Sequence, residues 1–334
     1  MTEIIKTNAP IILAEIKKAQ SILLHCHPSP DPDSVGSALA MKLALEQLGK
    51  KVTLIKGDSD IPKAFEFPGV ETIVQKNFFE TNIQEFDLFI ILDSGSPEMI
   101  SSKDKIVFPD SLTTIVIDHH ASNIGYGKIN CIDSSYPATA QILFDLFKEI
   151  GVRLNHDIAL NLFMGIYTDT GGFRYNSVTA DTFRIATDLV SLAPDFTKTI
   201  SIMDNSKRKE SLVFEGIALS SMKTFFDGKF AIASVNYEEL EKNNIVEGDI
   251  STGYISSKIK SIIGVDASAT LIESKPKIVK VSFRTRDQEK YDVSKLAVAL
   301  GGGGHKGASG AKLNMTMSEA IDLVVKTAKE IYNL

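Results

Sequence analysis

Short apolar runs and longer segments of helical periodicity alternate along the first 170 residues. The apolar runs are rich in β-branched residues and end in polar turns, which is typical of parallel strands covered on both faces. One of them, the run that ends in Asp-His-His, closes abruptly in three polar side chains. The runs predict five strands, at residues 21–27, 51–56, 86–94, 115–120 and 128–133.

Helix-forming segments separate these runs and predict the connections between the strands. The second helical segment ends at Gly49, and glycine is common just after the end of a helix. Alternation of strand and helix with short connections predicts an α/β fold with a doubly wound, mostly parallel sheet. The predicted helices cover residues 9–19, 34–49, 138–150 and 157–168.

The pattern changes around residues 187–212, which are polar and contain no strand signal. A second set of strands follows at 229–235, 267–273 and 277–284, with helices at 253–261, 294–300 and 318–332. We predict a catalytic domain at 1–190, a connector at 191–212 and a smaller α/β substrate domain at 213–334, with a cleft between the domains.

Composition narrows the range of partners. Lys and Arg number 36 against 42 Asp and Glu, a net charge of −6, which argues against a broad basic surface for long duplex nucleic acid. The amino terminus lacks the apolar core of a signal peptide, and no stretch approaches the roughly 18–20 apolar residues of a membrane span. We expect a cytoplasmic protein without membrane contact, in which Cys26 and Cys131 are small buried hydrophobes.

Carboxylates and imidazoles concentrate at the predicted strand ends and the adjoining loops. Three strands and one helix end in such residues, which parallel topology would bring to one edge of the sheet. Oxygen and imidazole ligands without thiolate favour Mn²⁺ or Mg²⁺, and their number exceeds what one ion needs. The set comprises His27, Asp31, Asp33, Asp93, Asp118, His119, His120 and Asp169.

Each of these residues also has an ordinary structural interpretation. Asp31 and Asp33 could shape a proline turn and cap the following helix, and a histidine pair could be hydrogen-bonded at the surface. His25 and His156 are assigned to that ordinary class. For the others, the coincidence of so many such residues at one predicted edge favours a pair of ions sharing a carboxylate, as used in phosphoryl hydrolysis.

The ordered motifs resemble those of the DHH phosphoesterase superfamily, in its compact two-domain group. The motifs are His27 to Ser37, Leu92 to Ser94, Asp118 to His120 and Thr168 to Gly172. The stretch Gly301 to His305, preceded by Val281 to Arg284, resembles the C-terminal domain associated with that family. Pro32 stands where many members carry a small residue, which leaves both neighbouring carboxylates in place.

The resemblance implies a role for each catalytic-domain residue. His27, Asp31 and Asp93 would hold one Mn²⁺, and Asp33, Asp93, His119 and Asp169 the other, with Mg²⁺ as a possible substitute. A hydroxide between the ions would attack the phosphorus in line. His120 would contact the substrate phosphate, and Asp118 would support the site by orienting a histidine.

The glycine-rich stretch near the C-terminus satisfies G-x-G-x-x-G, but it follows a predicted helix, so a dinucleotide-cofactor site is rejected. We predict instead that successive exposed backbone N–H groups form a nest for a phosphate or a nucleotide end, together with two basic side chains. The predicted substrate-binding residues are Arg284, Gly302, Gly303, Gly304 and His305, with Arg286 and Lys306 on the same surface.

The resemblance implies an enzyme that hydrolyses short nucleotides: oligoribonucleotides of a few units, linear dinucleotides such as pApA, or pAp. A cyclic di-AMP phosphodiesterase or another small-phosphate hydrolase is the alternative. The C-terminal glycine motif counts against a pyrophosphatase, and the full ligand set counts against a non-enzymatic nucleotide-binding protein. A homodimeric assembly is left open.

Overall fold

Five parallel strands form the central sheet of the N-terminal part of the protein, whose computed structural model describes residues 1–333. They lie in the order β2-β1-β3-β4-β5, and every pairing is parallel. This confirms the α/β prediction and places all carboxyl ends at one edge. The strands are β1 (Ser21–His25), β2 (Lys51–Ile55), β3 (Leu88–Leu92), β4 (Thr113–Asp118) and β5 (Ile129–Ile132).

The two faces of this sheet are covered differently. Side chains such as Leu24, Ile90 and Ile117 pack in a core with the helices, whereas Leu23, Phe89 and Val116 face a second apolar cluster. That second cluster is closed by the chain between β2 and β4, which forms short 3₁₀ turns. The helices are α1 (Glu3–Lys18), α2 (Pro32–Gln47), α3 (Thr139–Glu149), α4 (His156–Asp169), α5 (Ala180–Leu192) and α6 (Phe196–Asp204).

Helices α2 and α4 approach each other at two glycines. A Cβ atom at Gly36 would lie 2.4 Å from the carbonyl oxygen of Asn161. A Cβ atom at Gly165 would lie 2.5 Å from Oδ1 of Asp33. Both separations are shorter than real Cβ contacts, so the absence of side chains permits this crossing and the placement of the Asp33 carboxylate.

The chain divides into two compact units, the first ending at Ser206 and the second beginning at Lys207. The range 191–212, predicted as a connector, contains α6 and the start of α7 (Lys209–Ser220). The domain limits given above stay a prediction. Among residues 1–333, no helix is both long enough and apolar enough to cross a bilayer.

The second unit is built on a six-stranded sheet in the order β10-β11-β9-β8-β7-β6, in which the β7–β8 pair is parallel and the other pairs are antiparallel. One face carries Val279, Val281 and Phe283 into a core with α10 and α11. The elements are β6 (Lys223–Phe225), β7 (Phe230–Val235), α8 (Tyr237–Lys242), α9 (Thr252–Ile259), β8 (Ala267–Lys275), β9 (Ile278–Thr285), α10 (Val293–Ala299), β10 (Gly303–His305), β11 (Ala308–Leu313) and α11 (Met317–Tyr332).

The glycine-rich stretch, predicted as a loop, is a β-hairpin. Gly303 pairs with Gly310, and His305 pairs with Ala308. The N–H groups just before β10 are engaged as well, because Gly301 donates to Val298 and Gly302 donates to Ala297 at the end of α10. The expectation of a run of exposed backbone amides is therefore wrong at Gly302, since its N–H group satisfies one of the last helical carbonyls.

Candidate metal centre

The carboxyl ends of three neighbouring strands supply the polar residues of the site. His27 follows β1, Asp93 follows β3, and His119 follows Asp118, the last residue of β4. The first turn of α2 and the last residue of α4 reach the same sheet edge. They contribute Asp31, Asp33 and Asp169.

Six of these side chains form two groups, each compact enough for one metal ion. His27, Asp31 and Asp93 offer ligand atoms that all lie within 4.8 Å of one another, and so do Asp33, His119 and Asp169. A third combination, in which His120 joins Asp93 and His119, meets the same criterion.

Asp93 lies between the two groups, and its two oxygens face different histidines. Oδ2 is 3.9 Å from Nε2 of His27, and Oδ1 is 3.5 Å from Nε2 of His119. Each histidine in turn approaches a second carboxylate, at 3.3 Å in both cases: His27 approaches Asp31, and His119 approaches Asp169. One carboxylate is therefore positioned to serve both groups.

The backbone at Asp93 is strained. Its φ angle is +51°, in the left-handed region, where a residue with a Cβ atom pays about 1–2 kcal/mol. The side chain is 2% exposed, and the backbone N–H donates to the carbonyl of Ile117 on β4. Strain of this kind persists where surrounding contacts enforce it, and it concentrates at functional sites.

Burial and mutual repulsion disfavour the charged form of these carboxylates. Burial, followed by the negative charge of Asp169, raises the pKa of Asp33 to about 7. Burial and the charge of Asp31 raise the pKa of Asp169 to about 6. The pKa of Asp93 is raised well above its usual value by burial and by Asp33. Divalent cations would compensate this charge, and carboxylate oxygens with imidazole nitrogens suit Mn²⁺ or Mg²⁺, so the residues fit a metal centre.

The first turn of α3 holds two of the carboxylates. The N–H groups of Thr139 and Ala140 donate to the two oxygens of Asp33, at 2.7 and 3.0 Å. The hydroxyl of Thr139 donates to Oδ1 of Asp93 at 3.0 Å. Sequence reasoning missed Thr139, because the helix start lies 46 residues beyond Asp93 and only folding brings them together.

Asp118 lies beside His120 and orients its ring. Oδ1 of Asp118 is 2.7 Å from Nδ1 of His120 and also accepts from the N–H of His119. Oδ2 accepts from the side-chain amide of Asn123 at 2.7 Å. This arrangement leaves Nε2 of His120 for another partner, and the hydrogen bond that His120 donates to Asp118 raises the pKa of His120. Asn123, in the loop after His120, was also missed.

The ordinary interpretations hold for some of the residues weighed above. Asp31 caps α2 by accepting from the N–H of Ser34 at 2.9 Å, a role compatible with its place beside His27. His25 is buried with its ring 5.4 Å from that of Phe89. His156 lies at the surface, between Asp157 and Asp195. Both cysteines are fully buried.

Two of the predicted substrate-binding side chains of the second unit lie on paired strands, and two others lie beyond the ends of those strands. Arg284 on β9 is opposite Ala308, which is itself opposite His305, so three adjacent strands carry them in register. Arg286 is engaged at the end of α9, where it donates to the carbonyls of Lys260 and Ile262 at 2.7 Å. Lys306 lies 3.3 Å from Glu289.

Comparison with known proteins identifies similar chains. A Thermus thermophilus protein named bifunctional oligoribonuclease and PAP phosphatase NrnA is 28% identical over 96% of this chain and 93% of its own length. The crystal structure of an exopolyphosphatase-related protein from Bacteroides fragilis has a TM-score of 0.88 at 26% identity, covering 98% of this chain and 97% of that one. The cyclic-di-AMP phosphodiesterase PdeA of Listeria monocytogenes is 26% identical over 91% of this chain but only 47% of its own length.

Two family profiles match separate parts of the chain. The N-terminal domain of the DHH family matches residues 21–166, which include every residue of the two ligand groups except Asp169. The DHHA1 domain matches residues 227–333, which include Arg284 and the glycine-rich hairpin. The chain therefore belongs to the DHH phosphoesterase superfamily, in the group that carries a DHHA1 domain.

Proposed function

We propose that this protein is a cytoplasmic, Mn²⁺-dependent phosphoesterase that hydrolyses short nucleotide substrates: oligoribonucleotides of a few units, linear dinucleotides such as pApA, and pAp. One observation carries the proposal. The two oxygens of Asp93 face two separate ligand groups, which is the arrangement expected of a bridging carboxylate. The names of full-length relatives from the same family support the substrate class.

The ligand groups define which residues would hold the ions. His27, Asp31 and Asp93 would hold one, and Asp33, Asp93, His119 and Asp169 the other. When bound, two divalent ions neutralise phosphate charge and lower the pKa of water at the site. The protein itself holds the ligands in place: α3 fixes Asp33 and Asp93 through Thr139, and α2 fixes Asp31 through Ser34.

His120 has the geometry of a substrate contact. Its Nδ1 atom is engaged by Asp118, which favours the protonated ring and leaves Nε2–H as a donor. We propose that this donor binds a phosphate oxygen and stabilises the charge that develops on it during hydrolysis. In this arrangement Asp118 is a positioning residue, and His120 stays outside both ligand groups.

The second unit would bind the nucleotide. Arg284 and His305 occupy neighbouring positions on β9 and β10 across β11, where a guanidinium and an imidazole can both reach a phosphate. Gly302, Gly303 and Gly304 are exposed and carry no side chain that would cover the backbone, although the N–H group of Gly302 is already engaged by Ala297. Arg286 and Lys306 lie outside this set of paired positions and would contribute less.

A substrate panel tests the proposal. Purified protein is incubated with pAp, pApA, a pentaribonucleotide, cyclic di-AMP and pyrophosphate, in Mn²⁺, Mg²⁺ or chelator. We expect turnover of the first three, fastest in Mn²⁺ and absent in chelator. Cyclic di-AMP as the preferred substrate would favour the second candidate, which the similarity to the phosphodiesterase PdeA supports. Turnover restricted to pyrophosphate would overturn the nucleotide assignment.

A further inference from the structure

One face of the second sheet carries polar residues along β9 and β11, and α9 covers part of it, where the hydroxyl of Ser256 donates to the carbonyl of Ser282 at 3.1 Å. Successive residues of β9 alternate between the core and this face, so Lys280, Ser282 and Arg284 share this polar side, and Lys280 is the most exposed of the three. Val279, Val281 and Phe283 point the other way, into the core with α10 and α11. The polar side of β9 and β11 therefore extends from Arg284 to Lys280, beyond the residues that we assign to nucleotide binding.

Two lysines lie directly opposite each other at the far end of this face. Lys280 pairs with Lys312 in the register of β9 and β11, and both side chains are exposed. Like charges directly opposite on adjacent strands are destabilising. Between this pair and Arg284, the next pair consists of Ser282 and Gly310, so small residues separate the two cationic positions.

A cavity of about 490 Å³ adjoins the lysine pair, a volume in the range of small-ligand sites. Lys280, Lys312 and Ser282 line it together with Lys275, and Leu240 and Ile272 supply apolar wall. Tyr237 adds an aromatic ring to the lining. Cationic groups beside apolar and aromatic wall are the combination that proteins use to hold single-stranded nucleic acid.

Spacing decides which part of a substrate can reach the lysines. Four residues of strand separate Lys280 from Arg284, about 13 Å at 3.3 Å per residue. Neighbouring phosphorus atoms of a nucleotide chain are joined by six backbone bonds and lie about 7 Å apart when extended. If one phosphate of a chain binds at Arg284, the neighbouring phosphate is too close to reach the lysine pair, and the phosphate after it is at the right distance.

We propose that Lys280 and Lys312 form a distal phosphate subsite for single-stranded oligonucleotides, occupied by substrates with at least three phosphates along the chain. The inference rests on the proposed function and specifies its substrate length. pAp and pApA, with two phosphates each, do not reach the subsite when one phosphate is at Arg284.

Two acidic side chains at the cavity oppose the binding of a phosphate there. Glu247 lies 2.7 Å from Lys280, and Glu241 also lines the cavity. The Lys280–Glu247 pair is exposed, so it contributes little to stability. Glu247 competes with a phosphate for Lys280, and its removal strengthens the subsite.

The test compares pApA with pApApA. In the wild type, addition of the third phosphate lowers KM. In the Lys280→Gln/Lys312→Gln variant, the ratio of kcat/KM for pApApA to that for pApA falls about tenfold, on the scale of two lost phosphate contacts. Glu247→Gln shifts the same ratio in the opposite direction. Lys326→Gln, an exposed lysine on α11 behind the opposite sheet face, is the matched control and leaves the ratio as in the wild type.

The salt dependence supplies an independent readout. The slope of log KM against log salt for pApApA becomes shallower in the double variant, by about 0.7 for each phosphate contact removed. A wild-type enzyme that cleaves pApA and pApApA, with a ratio and a salt slope unaffected by the lysine substitutions, overturns this inference and leaves the proposed function standing. If the wild type cleaves neither substrate, both this inference and the proposed function are wrong.

Discussion

The hydroxyl of Thr139 donates a 3.0 Å hydrogen bond to Oδ1 of Asp93, while the N–H group of the same residue donates to Asp33 at 2.7 Å. One residue at the start of α3 thus holds a carboxylate of each proposed metal position. Burial raises the pKa values of both carboxyl groups, and these donors offset part of that effect because hydrogen bonds to a carboxylate favour its charged form.

Removal of this hydroxyl should loosen the bridging carboxylate. Thr139→Val keeps the shape and the backbone donor but loses the bond to Asp93. A hydrogen bond to a charged group contributes about 1.5–3 kcal/mol, so we expect turnover with Mn²⁺ to fall roughly 10- to 100-fold. Thr139→Ser should retain most activity. Equal turnover in the valine and serine variants would show that the hydroxyl has no such role.

Replacement of Asp93 should abolish hydrolysis and stabilise the metal-free fold. Asp93→Asn removes the carboxylate that faces both His27 and His119, so bound metal measured by elemental analysis should fall below two equivalents. The amide also cannot ionise among Asp31, Asp33 and Asp169, so the Tm in chelator should rise at the pH values at which the wild-type carboxyl group ionises. Near-normal turnover in this variant would refute the bridging role.

Substitutions of His120 and His119 should have different effects on the amount of bound metal. His120→Ala should lower kcat by roughly 10² or more, the scale of a lost transition-state donor, with metal content near wild type. His119→Ala should lose a metal equivalent, because His119 lies against Asp93 and Asp169. Loss of a metal equivalent in the His120 variant would place His120 among the ligands, as the third ligand combination allows.

The stability of the metal-free protein should decrease as pH rises. The folded-state pKa values of Asp33, about 7, and Asp169, about 6, lie above the usual 3.8. Groups with raised pKa values contribute stability at low pH and lose it as they ionise. The Tm in chelator should therefore fall between about pH 4 and about pH 7, and Mn²⁺ should raise it more at the higher pH. A Tm in chelator that rises over this interval would contradict the buried carboxylate cluster.

Substitutions in the second unit should act mainly on substrate affinity. Arg284→Ala and His305→Ala should raise KM for pAp and pApA while kcat changes little, because neither residue belongs to the metal centre. Arg184→Ala, which removes an exposed arginine on α5 that pairs with Asp181, is the matched control for loss of an arginine. Unchanged KM values in both the Arg284 and His305 variants would remove the nucleotide-binding role from this hairpin.

Local sequence was enough to predict the parallel sheet and the residues gathered at its edge. Strands that are covered on both faces appear as continuous apolar runs, and a parallel sheet aligns their carboxyl ends. The same reasoning located His27, Asp93 and His119 correctly at the ends of β1, β3 and β4. It failed for the glycine-rich stretch, because a hairpin pairs backbone groups in a way that composition does not reveal.

The sequence by itself determined which residues meet at the sheet edge, because the ends of the apolar runs and the side chains found there follow from short-range patterns and from the family resemblance. Only the tertiary structure decided how they are held. The left-handed backbone of Asp93, the contact of its two oxygens with different histidines, and the bonds from Thr139 depend on distant segments that meet only in the folded protein. The cross-strand lysine pair is of the same kind, since register is set by the packing of a whole sheet face.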